Sequence, residues 1–247
     1  MYGKIALFVI SVSLSGGLAT IAQAMPGEQL AYADSLFDAK KYTESYEVYD
    51  HLLEVEKVSS SAMLLRMAFI REGLGDYSGA LYYLNTYYLK TADRKVLTKM
   101  EELAEKEQLD GYEFTDFDFL RTNFYKYFDI ITYGLLALSI LMLSLTYYQK
   151  FKRQQNPILP ASLMVVFLGI LFYTLNFGRD YNKAIVSESN TYLMSGPSAG
   201  AEVIDILDKG HRIDYRDQQD VWVRVAWRDK TAFVKRDKLR YIGRSVF

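Results

Sequence analysis

Residues 130–148 read IITYGLLALSILMLSLTYY, and residues 158–177 read ILPASLMVVFLGILFYTLNF. Neither stretch holds an ionisable Asp, Glu, Lys, Arg or His. A helix needs about 20 apolar residues to cross the hydrocarbon core of a bilayer. A helix of a soluble domain is seldom apolar on every side over that length. Both stretches therefore predict transmembrane helices. Tyr147, Tyr148 and Tyr173 fall near their ends, where amphipathic rings favour the interface. The connector, residues 149–157, carries Lys150, Lys152 and Arg153 and no acid, whereas the outer flanks mix Arg121, Lys126 and Asp129 with Arg179, Asp180 and Lys183. Short basic loops stay cytoplasmic. The two stretches thus predict a helical hairpin with its loop inside and both flanking regions outside.

The first residues predict the same orientation. Lys4 precedes an apolar stretch over residues 5–18, and Ala22-Gln23-Ala24 places small residues where a signal peptidase accepts them. Residues 1–24 read as a signal peptide cleaved after Ala24; an uncleaved anchor helix would leave the next segment on the same side. The expected location is a bacterial inner membrane, with two spans and the N-terminal and C-terminal domains periplasmic. Residues 111–129, dense in Tyr and Phe between 112 and 128, read as an aromatic juxtamembrane collar that docks or lies at the interface. The chain has no cysteine, which removes disulfides, thiolate catalysis and Cys-based zinc sites. A net charge of −1 gives no global basic surface for nucleic acid.

Residues 25–110 are helical and repetitive in pattern. Ala33 and Ala68, Tyr42 and Tyr77, and Ser45 and Ala80 each stand 35 residues apart. Gly75-Asp76 supplies a turn, since Gly tolerates positive φ and Asp bonds its own backbone. Tyr77 then plugs the gap between paired helices, and the small Ala80 lets them approach. These residues, with Tyr49, resemble tetratricopeptide repeats, whose period is about 34 residues. Lys40 stands where Gly is usual, and residues 94–108 resemble a lone capping helix. The resemblance implies a groove on the first helix of each repeat, lined by Leu30, Asp34 and Phe37, then Leu65, Arg66 and Phe69.

Residues 184–247 change to short strand-like runs at 184–186, 191–194, 202–207, 211–215, 221–227, 231–234 and 239–242. Val221-Trp222-Val223-Arg224-Val225-Ala226-Trp227 alternates as a half-buried strand does. So many short strands predict a small closed barrel. Residues 192–227, YLMSGPSAGAEVIDILDKGHRIDYRDQQDVWVRVAW, resemble bacterial SH3-like domains through Ser195-Gly196-Pro197-Ser198, Val203-Ile204, Lys209-Gly210 and Trp222, with Phe233-Val234 following. Met194 replaces the usual Arg. Tyr215, Trp222 and Trp227 are candidate surface aromatics, against the commoner role of such rings as core.

The predicted fold class is multidomain: all-α tetratricopeptide-like repeats, a transmembrane helical hairpin and an all-β SH3-like barrel. That order, with DGYEFTDFDF at 110–119 and GHRID at 210–214, resembles the BatE-type membrane proteins of aerotolerance operons. The resemblance implies partners among membrane or periplasmic proteins, some carrying von Willebrand factor A domains. No catalytic site, cofactor or metal is expected. His51 and His211 are the only histidines, and no phosphate-cradling Gly motif occurs. The function expected is a non-enzymatic envelope scaffold in contact with membrane lipid. Peptidoglycan binding or sensing is the first alternative, and an accessory subunit of an envelope enzyme is the second.

Overall fold

The repeat signal becomes two helical pairs, α1 (Pro26–Asp38) with α2 (Tyr42–Glu54) and α3 (Ser61–Gly73) with α4 (Tyr77–Thr91), followed by α5 (Lys95–Lys106). The structure is a computed structural model that describes residues 26–178, 181–228 and 230–243, so the expected signal peptide lies outside the described residues. Both pairs turn through the left-handed region at equivalent positions, Lys40 at φ 61° and Gly75 at φ 73°. The first repeat keeps the geometry although Lys40 bears a Cβ, at a cost of about 1 kcal/mol. Asp76 caps α4 by accepting from the Gly79 N–H at 3.2 Å. Ser60 caps α3 by accepting from the Met63 N–H at 3.1 Å. Ala80 is fully buried. Its counterpart Ser45 is buried too and donates its hydroxyl to the Ala33 carbonyl at 2.9 Å.

After α5 the collar runs through Gly111 and Tyr112 into α6 (Asp116–Lys126), which Thr115 and Asp118 start with a reciprocal capping box. Then come α7 (Phe128–Phe151) and α8 (Ile158–Phe177), packed on each other as a hairpin. Both are long and apolar enough to cross a membrane, as a two-span protein requires. The hairpin ends meet, because a Cβ on Gly178 would lie 2.8 Å from the Phe128 ring.

The C-terminal region forms one antiparallel sheet of β1 (Lys183–Val186), β2 (Thr191–Met194), β3 (Val203–Leu207), β4 (Arg212–Gln219), β5 (Trp222–Trp227), β6 (Lys230–Lys235) and β7 (Leu239–Tyr241). The order is β3-β2-β6-β5-β4-β1-β7. The expectation of a closed barrel is corrected here: β3 and β7 are the two edges and do not pair. The physical reason lies at both ends. β2 bulges at Leu193/Met194 and joins β6 through the single pair Met194–Phe233. β7 turns toward the helices, with Arg240 over the Tyr82 ring at 3.7 Å.

The helices and the sheet share a core. Ile185 and Ile242 are buried among the same residues as Leu64, Leu81 and Tyr88, while Ala184 and Val186 on the other face of β1 fill the sheet's own core with Val223, Val225 and Val234. Arg212 fixes the seam. It is 2% exposed, donates to Asn85 Oδ1 of α4 at 3.0 Å and to the carbonyls of Gly111 at 2.5 Å and Glu113 at 3.3 Å, and lies 4.3 Å from the Phe114 ring centre. Gly111 is required at this seam: its φ is 92°, and a Cβ there would fall 2.0 Å from the Arg212 carbonyl oxygen. The regions before and after the hairpin therefore form one head on one side of it.

Candidate interaction surface

Helical spacing puts Asp34 and Phe37 of α1 beside Leu65, Arg66 and Phe69 of α3. The side chains bond accordingly. Arg66 pairs with Asp34, and its guanidinium lies 5.2 Å from the Phe37 ring centre. The buried Tyr49 of α2 supports the pair from beneath, donating to Asp34 Oδ1 at 2.5 Å and accepting from Arg66 at 3.2 Å. Burial first, and then the Asp34 carboxylate, push the Tyr49 phenol up to about 12. It therefore stays a donor at every ordinary pH.

Above this pair sits a triangle of rings. Phe37 and Tyr42 are 5.3 Å apart, Phe37 and Phe69 5.7 Å, and Tyr42 and Phe69 5.7 Å, all edge to face. Such pairs contribute about 0.5–1.5 kcal/mol beyond their burial. Phe69 nevertheless remains 54% exposed and Leu65, one helical turn earlier, 39% exposed. The surface thus offers two apolar side chains whose backdrop is already held by an ion pair and edge-to-face rings. Leu30 differs from the expectation for a groove residue: it is half-buried against the helical core. Tyr42, the first-repeat counterpart of Tyr77, belongs to the aromatic triangle.

The three sheet candidates do not converge. β5 alternates strictly, with Val223, Val225 and Trp227 inward and Trp222 on the other face. Trp227 is 6% exposed and donates its indole N–H to Asp205 at 2.8 Å. That bond is the main reason the Asp205 carboxyl is held below the usual carboxylate range. Trp227 is core. Tyr215 is half-buried, edge-on to Tyr241 at 5.0 Å. Trp222 faces an apolar recess of about 370 Å³ shared with Tyr192, Met194 and Val203 and rimmed by Lys235 and Lys238, while the buried Trp227 borders a different cleft.

A larger cleft of about 770 Å³ opens between the collar and the sheet, where Glu101, Glu105 and Asp110 face Lys183 and Arg228. His211 stands at this seam. Its Nδ1 accepts the Asp110 N–H at 2.9 Å, so the ring is neutral there, and burial lowers its pKa below the ordinary 6.5. Among the described residues no group of three His, Cys, Asp or Glu side chains is placed to hold a metal ion. The seam residues Arg212 and Arg240 escaped sequence reading, since an inward arginine in a strand looks like any exposed one.

Compared with protein-family models, with curated proteins and with solved structures, the chain matches none of them.

Proposed function

We propose that the chain is a non-enzymatic membrane scaffold that holds a partner's peptide or helix on the α1–α3 face. The observation that carries this reading is the combination of exposed Phe69 and Leu65 with the fixed Asp34–Arg66 pair. Apolar anchors beside charges of set geometry are how a groove selects a segment. Because the backdrop is pre-ordered, a partner loses little further entropy in ordering it. The tetratricopeptide and SH3-like resemblances, and the resemblance of the whole order to BatE-type proteins, favour membrane or periplasmic partners, with von Willebrand factor A proteins as the first to test. The basic connector of Lys150, Lys152 and Arg153 supports a cytoplasmic loop and a periplasmic head.

The rival reading is peptidoglycan binding through the recess beside Trp222, where Lys235 would meet a carboxylate. One set of variants separates the two. Leu65→Ala with Phe69→Ala should abolish recovery of partners from gently solubilised membranes and leave sedimentation with purified peptidoglycan unchanged. If Trp222→Ala removes sedimentation while the helical double variant retains every partner, the scaffold reading fails. Separately, in intact spheroplasts, cysteine at Gln154 should resist an impermeant thiol reagent while cysteine at Ser198 reacts.

A further inference from the structure

α6 presents an apolar face that the head leaves uncovered. Phe117 and Leu120 are 71% and 67% exposed. Tyr127, at the bend into α7, is 45% exposed, and Phe124 between them is half-buried. Steps of three and four residues put these side chains on one side of the helix. The opposite side is tied down. Thr122 and Tyr125 are buried, the Tyr125 ring lies 5.8 Å from Tyr181, and the Asp118 carboxylate stands 3.4 Å from the Lys183 ammonium. Although burial acts against it, Lys183 and Thr115 hold the Asp118 carboxyl below its ordinary value, so the tie is charged at neutral pH. α6 is thereby locked in one rotation about its axis, apolar face outward.

The stripe does not end with α6. Beyond the bend at Tyr127, Ile130 and Tyr133 of α7 are both 69% exposed, so apolar exposure runs on into α7. With 24 residues α7 is about 36 Å long, which already covers a hydrocarbon core of roughly 30 Å. The apolar face of α6 must then lie beyond that core, at the level of the headgroups. Rings, a leucine and Lys126 are the residue types that suit this level.

We propose that α6 is an interfacial helix: Phe117, Leu120, Phe124 and Tyr127 sit among the headgroups and upper acyl chains of the leaflet from which α7 emerges. The head is then held against the bilayer in a fixed orientation, so the α1–α3 face is offered to partners at a constant height. This rests on α7 and α8 spanning the bilayer.

The absence of cysteine makes the test clean, because a single introduced cysteine can carry a nitroxide. Phe117→Cys, Leu120→Cys, Ile140→Cys and Ser198→Cys would each be labelled in the full chain, in phosphatidylethanolamine–phosphatidylglycerol vesicles. Collision rates with oxygen, which prefers lipid, and with a nickel chelate, which prefers water, are then compared. All four native side chains are exposed, so the fold tolerates the labels. Oxygen should outcompete nickel several-fold at 117 and 120, to a degree between the Ile140 and Ser198 values. With Ile140 reading lipid, a Leu120 label as open to nickel as Ser198 overturns the proposal. So does a label shielded from both reagents, which would mean that a second copy or a protein partner covers the face. An Ile140 label open to nickel sinks the reading of the spans instead.

Discussion

α2 and α4 occupy the same place in two successive repeats, yet four of the thirteen residues of α2 are buried against ten of the fifteen of α4. The difference is sharpest on one stripe. Where α2 turns Glu47, His51 and Glu54 to solvent, α4 carries Tyr82, Thr86 and Leu89, each 35 positions later and each buried. One repeat is an ordinary amphipathic pair with a wet back. The other has its back against α6 and the sheet, so its outer face has become core. Thr86 and Asn85 keep hydrogen bonds on that face, as most buried polar groups do: Thr86 donates to the Tyr82 carbonyl at 2.8 Å, and Asn85 donates to the Leu81 carbonyl at 2.8 Å while accepting from Arg212. A repeat template thus sets helix placement, and the residues on its outer stripe decide what it docks against.

The sharpest test of that contrast exchanges the stripes for alanine. Tyr82→Ala should destabilise the head by about 3–5 kcal/mol, the range for truncating a buried aromatic, and it also removes the ring beneath Arg240. Glu47→Ala at the equivalent place should stay within about 0.5 kcal/mol. Urea unfolding followed by the fluorescence of Trp222 and Trp227 measures both; equal losses would erase the distinction. A second, smaller effect probes the close approach inside the second pair. Ala80→Leu should overpack it by about 1–3 kcal/mol, and an unchanged melting temperature would mean α3 and α4 have room there. The smallest effect concerns the seam and acid. His211 titrates below its ordinary value in the folded head, so around pH 6 the folded state binds fewer protons than the unfolded one. Its contribution is complete above about pH 6.5 and is lost as pH falls through the folded value. Melting temperature should drop by at most a few degrees between about pH 7 and about pH 5, and His211→Gln should flatten that slope.

Much of the helical fold was legible because its signals are local. The 35-residue spacing, the Gly75-Asp76 turn and the charge-free runs each report on neighbours along the chain, and α1 to α5, α7 and α8 follow them. The seven strands were legible too, from turn residues and alternation. Barrel closure was not, because whether β3 meets β7 depends on what else occupies β7, and that is the Tyr82 surface. The candidate site divides in the same way. Asp34, Phe37, Leu65, Arg66 and Phe69 share a face because helix periodicity brings them together. Trp227, one of the candidate surface rings, is core instead, turned inward by the same alternation that buries Val223 and Val225. Arg212 carried no signal at all, since its partners Asn85, Gly111 and Glu113 are joined to it only by the fold.

The sharing of one core across the hairpin also sets a clock on biosynthesis. Asn85 and Arg212 are 127 residues apart, so at about 5–20 residues per second the cover for α4 is made on the order of ten seconds after α4 itself. During that interval both long apolar helices are made, and Tyr82, Thr86 and Leu89 wait without their sheet. A chain cut short after the hairpin keeps that surface open for good, which makes the helical region by itself a sticky fragment and ties its solubility to the arrival of the last strand.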